Sequence, residues 1–212
     1  SLKTVSLASP VRTLTLIKDQ FLVTSNSIGT LLYWDLNDLN APLNDLYTNN
    51  YPYHSLAYNA KRNWLVAGDA QGELHLFILN SQGNTLQNTS SQVFRTKHRG
   101  SVSSISFSNN GNWMASAGLD GTVLLWDLKK TKGNEIDAII PTLIDNEKRK
   151  VFSVAFDKDS QYLLFGDNEK VRIRAIDINL IYDKLNQKAN IPNLNQTDWE
   201  YYKRGEIKKP AK

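Results

Sequence analysis

The feature that most constrains the fold of this chain is a pattern of three short apolar runs that occurs four times in succession. Within each run apolar and polar side chains partly alternate, and Asn, Asp and Gly separate the runs, as expected for antiparallel strands joined by tight turns. The third run is the most similar between the four copies and occupies residues 29–36, 72–79, 121–128 and 170–177. Its aromatic position recurs at intervals of 43, 49 and 49 residues, at Trp34, Phe77, Trp126 and Ala175. The chain is therefore built from four copies of one small strand unit.

The other two runs of each copy recur in the same way. First runs begin at Val11, Tyr53, Val102 and Val151, and middle runs begin at Phe21, Trp64, Trp113 and Tyr162. A repeat of this length, with three strands and a connecting strand, is typical of the blades of an all-β propeller. We therefore predict four four-stranded blades, units one to four, at residues 9–49, 50–97, 98–145 and 146–180.

The fourth, outer strand of each blade is less regular. Candidates for units one to three lie at residues 43–47, 92–95 and 138–144, and nothing after unit four is in register. A further strand at residues 3–7 precedes unit one, so residues 1–8 are predicted to be the outer strand of a preceding blade. Because exposed strand edges invite aggregation, propellers close their rings. We expect the C-terminal half of a seven- or eight-bladed ring, with upstream blades in the same protein or a second chain; alternatively, residues 3–7 close a four-bladed ring.

Unit three carries the most specific motif: His98 at its start, Asp120 ahead of a turn at Gly121, and a closing Trp126–Asp127 pair. This unit resembles the WD repeat, and the resemblance to the WD-repeat β-propeller family extends over about residues 2–178. In that family a His, a Ser or Thr, an Asp and a Trp form a hydrogen-bonded chain within the blade. The resemblance implies this structural tetrad at His98, Ser116, Asp120 and Trp126. The other units depart from the motif, so the full tetrad is expected once.

Residues 181–212 differ in kind from the repeats. An Asn-rich stretch is followed by Thr197, which is predicted to cap a short helix with acidic residues in its first turn. The segment resembles the short C-terminal coda of large bacterial multidomain proteins that join a WD-repeat propeller to an NTPase or protease-like domain. The resemblance implies a docking role for Trp199 and Tyr202 in this tail.

Composition excludes several kinds of chemistry. The chain has no cysteine, which rules out disulfides, thiolate catalysis and cysteine-based zinc sites. Glycine-rich phosphate loops and paired-histidine metal motifs are also missing from the sequence, so we expect no cofactor and no metal. The net charge of +4 comes from the last ten residues, which hold five Lys or Arg side chains against one Glu. The balanced body argues against a general affinity for nucleic acid.

The three histidines fall in different units and have different predicted roles. His98 belongs to the implied tetrad and is predicted to be structural. His75 lies in the middle of a strand at an alternating position and is predicted to face solvent. His54 lies where a first strand begins and is the one histidine predicted to have a binding role.

The loops that enter the innermost strands of a propeller gather around the mouth of its central channel. In this chain they carry basic and aromatic side chains, at Arg12, Tyr53, His54, Arg99, Lys148, Arg149 and Lys150. Arg and Tyr are favoured anchors of protein interfaces because they bury area and still satisfy a polar tip. This mouth predicts a protein or peptide partner of acidic character.

The sequence therefore predicts a non-catalytic scaffold or sensor for protein–protein interaction. We expect it to be the C-terminal part of a multidomain or multichain signalling or defence protein, located in the cytoplasm. The chain has no apolar run long enough to cross a membrane. Two alternatives remain open: a propeller that binds nucleic acid, and an enzyme that uses the propeller channel.

Overall fold

The computed structural model describes residues 4, 7, 9–82, 85–131, 135–146 and 149–176, and all fifteen strands lie within these residues. The first sheet contains β1 (Val11–Ile17), β2 (Phe21–Asn26), β3 (Thr30–Asp35) and β4 (Asn44–Thr48). The second contains β5 (Tyr53–Asn59), β6 (Trp64–Asp69), β7 (Leu74–Gln82) and β8 (Thr85–Val93). The third contains β9 (Val102–Phe107), β10 (Trp113–Gly118), β11 (Thr122–Asp127) and β12 (Thr142–Asn146). The fourth contains β13 (Ser153–Phe156), β14 (Tyr162–Gly166) and β15 (Val171–Ala175).

Each sheet is one up-and-down meander in chain order, with four strands in the first three sheets and three in the described part of the fourth. The four sheets have a common register between their first two strands. The equivalent pairs are Leu14–Thr24, Leu56–Ala67, Ile105–Ser116 and Val154–Phe165. The predicted all-β propeller blades are confirmed, and we call the sheets blades one to four.

Apolar side chains from neighbouring blades form the core. One cluster joins Phe21, Val23 and Leu31 of blade one to Leu56 and Phe77 of blade two. A second cluster joins the following face of blade two to the preceding face of blade three, through Trp64, Val66, Leu74, Leu76, Ile105, Met114 and Trp126. Blade two is therefore buried on both faces, which is why its inner strands are mostly apolar instead of strictly alternating.

A serine hydroxyl also crosses each junction between neighbouring blades. The Oγ atoms of Ser25, Ser55 and Ser103 donate to the carbonyl oxygens of Tyr53, Val102 and Val151, over 2.8, 3.3 and 2.5 Å. Each acceptor lies at or just before the start of the next blade's first strand. These bonds satisfy backbone groups that the junctions bury, and they hold the first strands side by side.

The strand predictions are accurate for inner strands and less accurate for outer ones. The first strands of blades one to three and all four middle strands begin at the predicted residues, while β13 begins at Ser153 and not at Val151. The outer strand of blade one, predicted at 43–47, lies within one residue of β4. Those of blades two and three, predicted at 92–95 and 138–144, are wrong in extent, since β8 begins at Thr85 and β12 at Thr142.

Blade four is one residue shorter than predicted in the turn between its second and third strands. In blade two the amide of Asp69 donates to the carbonyl of Glu73, whereas in blade four the amide of Asp167 donates to that of Lys170. The turn therefore spans one residue fewer, and Arg174, not Ala175, takes the position of the aromatic residue. Its guanidinium carbon lies 5.9 Å from the ring centroid of Phe165.

The hairpin between the third and fourth strands of blade two is longer than that of any other blade in the described part of the chain. Strands β7 and β8 pair from His75–Val93 to Gln82–Thr85. Leu79 and Leu86 in the extension are buried in the cluster between blades one and two. The extension therefore closes one end of that junction.

Two further predictions concern the ends of the chain. Of the predicted strand at residues 3–7 the structure describes only Thr4 and Leu7, and neither lies in a strand. The predicted tail, 181–212, lies outside the described residues. Among the described residues there is no helix long and apolar enough to span a membrane.

Candidate functional site

A hydrogen-bonded relay runs through blade three and contains all four residues of the implied tetrad. Nε1 of Trp126 donates to Oγ of Ser116 over 3.1 Å, and Ser116 Oγ lies 2.8 Å from Nε2 of His98. On the other side of the ring, Nδ1 of His98 lies 2.7 Å from Oγ1 of Thr122, which donates to Oδ1 of Asp120 over 2.7 Å. Thr122 is a fifth member that the sequence analysis missed.

The direction of the relay fixes the histidine tautomer. Because Thr122 donates its proton to Asp120, its oxygen can only accept from His98, so Nδ1 carries the ring proton. Nε2 then accepts from Ser116. Burial lowers the pKa of His98, and the attraction of Asp120, 3.5 Å from Nδ1, only partly offsets this effect. His98 is therefore neutral near pH 7 and serves as a structural link.

Asp120 also orders the loop that enters blade three. It accepts from the backbone amides of Arg99 and Thr122 over 2.7 and 3.0 Å. Burial opposes the charge of Asp120, but these bonds and the Thr122 hydroxyl outweigh it, so its pKa lies below the usual value. The relay thus ends on a fixed carboxylate at the edge of the mouth.

Blade two replaces the relay with a different network centred on Asp69. Its Oδ1 accepts from the amides of Gln71 and Glu73, and its Oδ2 lies 3.1 Å from Nε2 of His75. Asn49 stands where blade three has His98, and its side-chain amide donates to Asp69 Oδ2 over 3.3 Å. Burial opposes the Asp69 charge, but the bonds from His75 and the two amides outweigh it and lower the pKa. The prediction that His75 faces solvent is wrong, because this side chain is buried against Asp69.

Blades one and four use the same position as Asp69, at or just after the end of the middle strand. In blade one Asn26 Oδ1 accepts from the amides of Ile28 and Thr30. In blade four Asp167 Oδ1 accepts from the amides of Glu169 and Lys170, and Oδ2 accepts from Arg172 over 2.7 Å. Three blades therefore cap this turn with an Asn or Asp where blade three has Gly118.

Arg172 links blade four to blade three as well as to its own turn. Its Nε lies 3.6 Å from Oδ2 of Asp145 in β12, and the three charged side chains are at most 10% exposed. The pKa of Asp167 is lowered to about 2 by hydrogen bonds from the Glu169 amide, the Arg172 guanidinium and the Lys170 amide. The partner of the capping Asp in blade four is thus an arginine where blade two has His75.

The mouth of the blade array carries the predicted cationic residues on its surface. Arg12, Arg99 and Lys150 are exposed at or just before the starts of the first strands β1, β9 and β13. Arg149 is exposed and pairs with the Glu169 carboxylate across the turn of blade four. These first strands neighbour one another in the order β1, β5, β9, β13, so their entrances share one rim. We call Arg12, His54, Arg99, Arg149 and Lys150 the mouth surface.

His54 and Tyr53 differ sharply although they are adjacent in sequence. His54 is half-buried, and its Nδ1 lies 2.9 Å from Oγ of Ser101 in the loop before β9. Burial, and after it the nearby Arg12 guanidinium, lowers the pKa of His54. Tyr53, predicted at the mouth, is instead fully buried and packs edge-on against His75 and Phe77. Tyr53 is therefore a core residue and no part of the mouth surface.

Three predicted site residues cannot be placed. Lys148, Trp199 and Tyr202 lie outside the described residues. Their predicted roles in partner binding and tail docking stay predictions.

The described residues contain one group with the composition of a metal site. Ligand atoms of Asp69, Glu73 and His75 lie within 4.8 Å of one another. Both oxygens of Asp69 already accept hydrogen bonds, and His75 uses Nε2 for Asp69. A cation would have to displace these bonds, so we interpret the group as the turn cap of blade two.

These features define the class of the protein. Repeated four-stranded meanders, packed face to face with their first strands side by side, are the blades of a β-propeller. A family model described as "WD domain, G-beta repeat" matches residues 89–127, which contain all five residues of the blade-three relay. The chain belongs to the WD-repeat β-propeller family.

Known relatives agree with this assignment. Pre-mRNA-processing factor 19 of Dictyostelium discoideum is 31% identical over 69% of this chain and 25% of its own length. Ribosome biogenesis protein YTM1 of Debaryomyces hansenii is 28% identical over 68% of this chain and 30% of its own length. Target of rapamycin complex subunit LST8 of Bos taurus is 23% identical over 68% of this chain and 42% of its own length. The chain thus spans less than half the length of each of these relatives.

A solved structure shares the fold. The crystal structure of the computationally designed Ika4 protein superposes with a TM-score of 0.61 and 19% identity, over 81% of this chain and 94% of that one. The resemblance of the tail to large bacterial multidomain proteins stays a prediction.

Proposed function

We propose that this chain is a non-catalytic scaffold whose mouth surface holds an acidic segment of a partner protein. The observation that carries the proposal is the difference between the exposed and the buried polar groups at the rim of the blades. Cationic side chains at Arg12, Arg99 and Lys150 are exposed, while the polar groups beneath them are committed to structural hydrogen bonds. The exposed layer can bind, and the layer below holds it in place.

The commitment of the buried groups argues against catalysis at the mouth. Asp120 accepts from Arg99, Thr122 and the relay, and Asp69 accepts from two amides and His75. A hydrolytic triad requires a histidine bridged between a nucleophile and an orienting carboxylate. His54 contacts Ser101 through Nδ1, the nitrogen that such a carboxylate would use. The mouth therefore presents binding groups in preference to a nucleophile.

The relatives support a role in assemblies, because one is named as a subunit of a complex and another as a ribosome biogenesis protein. We propose that this chain likewise works as part of a larger assembly, with any catalytic activity on another domain or chain. A signalling or defence setting, and a cytoplasmic location, belong to the same proposal.

The test is binding of a labelled Glu-rich peptide to the chain, with a Gln-substituted twin as the neutral peptide. Charge reversal at Arg12, Arg99 and Lys150 together should weaken binding of the Glu-rich peptide by ~10-fold or more, since rim charges steer and hold a charged partner. The matched control reverses three lysines in turns at the opposite end of the blades, at Lys18, Lys61 and Lys158.

The control should leave the affinity within about twofold. Equal loss in both triple variants would show a general charge effect and contradict the proposal. Tighter binding of a DNA duplex than of the Glu-rich peptide, with a steep salt dependence, would also contradict it in favour of the nucleic-acid alternative.

A further inference from the structure

The first strands of blades one to three share a β-bulge at the mouth. In each of them one residue near the start of the strand has no partner in the middle strand. These residues are Arg12, His54 and Ser103. A bulge re-aims the side chain of its extra residue, and bulges are common beside functional sites. The three side chains therefore occupy equivalent positions at the mouth.

The three bulge residues use their side chains in different ways. Ser103 Oγ donates to the carbonyl oxygens of Ala117 and Val151, over 3.0 and 2.5 Å, so it is committed to its own blade and to the junction with blade four. Arg12 is exposed, and His54 is half-buried. Arg12 and His54 are therefore the bulge residues that can contact a ligand.

His54 also differs from the other two histidines. His75 and His98 are 7% and 1% exposed, and each bonds a buried side chain of its own blade through Nε2. His54 uses Nδ1 for Ser101, and its Nε2 has no hydrogen-bond partner among the residues that the structure describes. Nε2 of His54 is thus the histidine nitrogen at the mouth that is available to a bound group.

Ser101 allows His54 to change its protonation state without losing the hydrogen bond at Nδ1. The Ser101 Oγ atom lies 2.9 Å from Nδ1. A serine hydroxyl can donate to the unprotonated nitrogen of a neutral ring, and it can accept from the N–H of a charged ring. Both forms of His54 are therefore compatible with the loop before β9.

The charged groups around His54 keep its ring neutral in the free chain. Arg12, from β1, opposes protonation, and Asp69, at the end of β6, favours it. Arg99, in the loop before β9, is exposed at the rim. Burial and then Arg12 outweigh Asp69, so the pKa of His54 lies below its usual value. A carboxylate brought to the ring would reverse this balance, because it stabilises the charged imidazolium and offsets the repulsion from Arg12.

We propose that His54 receives a carboxylate of the acidic segment through Nε2, beside Arg12, and that its ring gains a proton from solvent as the segment binds. This inference rests on the proposed function of the mouth surface and adds regulation by pH to it. Because the bound state holds one more proton than the free state, the affinity for the segment rises as the pH falls. Glutamate side chains stay ionised down to about pH 5.5, so the segment keeps its charge over this range.

The test is the dissociation constant of the labelled Glu-rich peptide between about pH 8 and about pH 5.5. For the unaltered chain it should fall by ~3-fold or more, as part of the ~10-fold that a rise of one unit in the pKa allows. His54→Gln keeps a polar side chain that cannot be charged, and it should lose this dependence on pH. Asn50→Gln, at an exposed residue of the loop that enters the same blade, is the matched control and should keep it.

Proton NMR of the His54 ring gives a second measurement on the unaltered chain. The pKa of His54 should rise when the Glu-rich peptide is added and should not change with the Gln-substituted twin. A His54 titration that the Glu-rich peptide does not shift would overturn this inference and leave the proposed function standing. Equal dependence on pH in the unaltered chain and His54→Gln would do the same. Absence of peptide binding at every pH would overturn both.

Discussion

At the scale of single residues, one position decides how each blade holds the turn between its second and third strands. An Asn or Asp at or just after the end of the middle strand accepts backbone amides in blades one, two and four, at Asn26, Asp69 and Asp167. Blade three has glycine there, and an Ala side chain at Gly118 would bring its Cβ within 2.4 Å of Asp120 and 2.6 Å of His98. The relay of blade three therefore requires both the displaced aspartate and the glycine.

These differences between the blades explain which site residues could be predicted from the sequence. The motif of blade three is recognisable in the sequence, so four members of its relay could be inferred from the resemblance. Thr122, the fifth member, is not at one of the four positions that the resemblance implies. Strand alternation predicts that His75 faces solvent, but a strand that lies between two neighbouring blades is buried on both faces. Arg172 could not be assigned, because the ungapped alignment of the repeats placed it one position away from His75.

Thr122→Val tests the missing link of the relay. The change keeps the shape of the side chain but leaves Nδ1–H of His98 without its acceptor, in a ring that is fully buried. We expect a loss of about 1–3 kcal/mol in the free energy of unfolding, measured by urea denaturation. Thr142→Val, at an exposed threonine of β12, is the control and should change stability by less than ~0.5 kcal/mol. Equal effects of the two substitutions would contradict the relay.

The Asp167–Arg172 pair predicts a dependence of stability on pH. The pKa of Asp167 is lowered to about 2 in the folded chain from 3.8, so the folded state prefers the ionised carboxyl. Its contribution is complete above pH ~4 and is lost as the pH falls through about 2. Urea titrations from pH 5 downward should show a steeper loss for the unaltered chain than for Asp167→Asn.

Asp19→Asn, at an exposed turn residue, is the control for that titration and should keep the steep loss. Parallel titrations of the unaltered chain and Asp167→Asn would show that the carboxylate of Asp167 contributes no pH-dependent stability.

At the scale of elements, inner strands were more predictable than outer strands. The inner strands are rich in Val, Leu, Trp and Phe because they pack against neighbouring blades. Strand β8 reads Thr-Leu-Gln-Asn-Thr-Ser-Ser-Gln-Val, a polar sequence typical of a loop, and it exists because β7 offers it an edge to pair with. Strands β4 and β12 are partly exposed along their length, so their apolar pattern is weak.

Leu86→Ala tests the role of the hairpin extension. Leu86 is 3% exposed and packs in the junction of blades one and two, so its truncation should leave a cavity there. We expect a loss of about 2–4 kcal/mol in the free energy of unfolding, measured by urea denaturation. Val93→Ala, in the same strand at a residue 47% exposed, should cost less than ~1 kcal/mol. A loss for Leu86→Ala as small as that of the control would mean that the extension does not close the junction.

At the scale of the whole molecule, the same repeat supplies both the fold and the rim that we propose as the binding surface. The chain enters each blade at its first strand, and the first strands of neighbouring blades lie side by side. Arg12, Arg99 and Lys150, at or just before the starts of these strands, therefore share one rim. The sequence could predict this gathering from the repeat alone. It could not predict that Tyr53 turns inward, since that depends on the space beside His75 and Phe77.

The most direct test of the account is amide hydrogen exchange of the chain with and without a Glu-rich peptide. Binding at the mouth surface should protect the amides of residues 97–101 and 149–152 and the starts of β1 and β5. The turns at the opposite end of the blades, residues 18–20, 60–63 and 157–161, should exchange unchanged. Protection confined to those turns or to the outer strands would contradict the account, because the acidic segment would then bind away from the mouth.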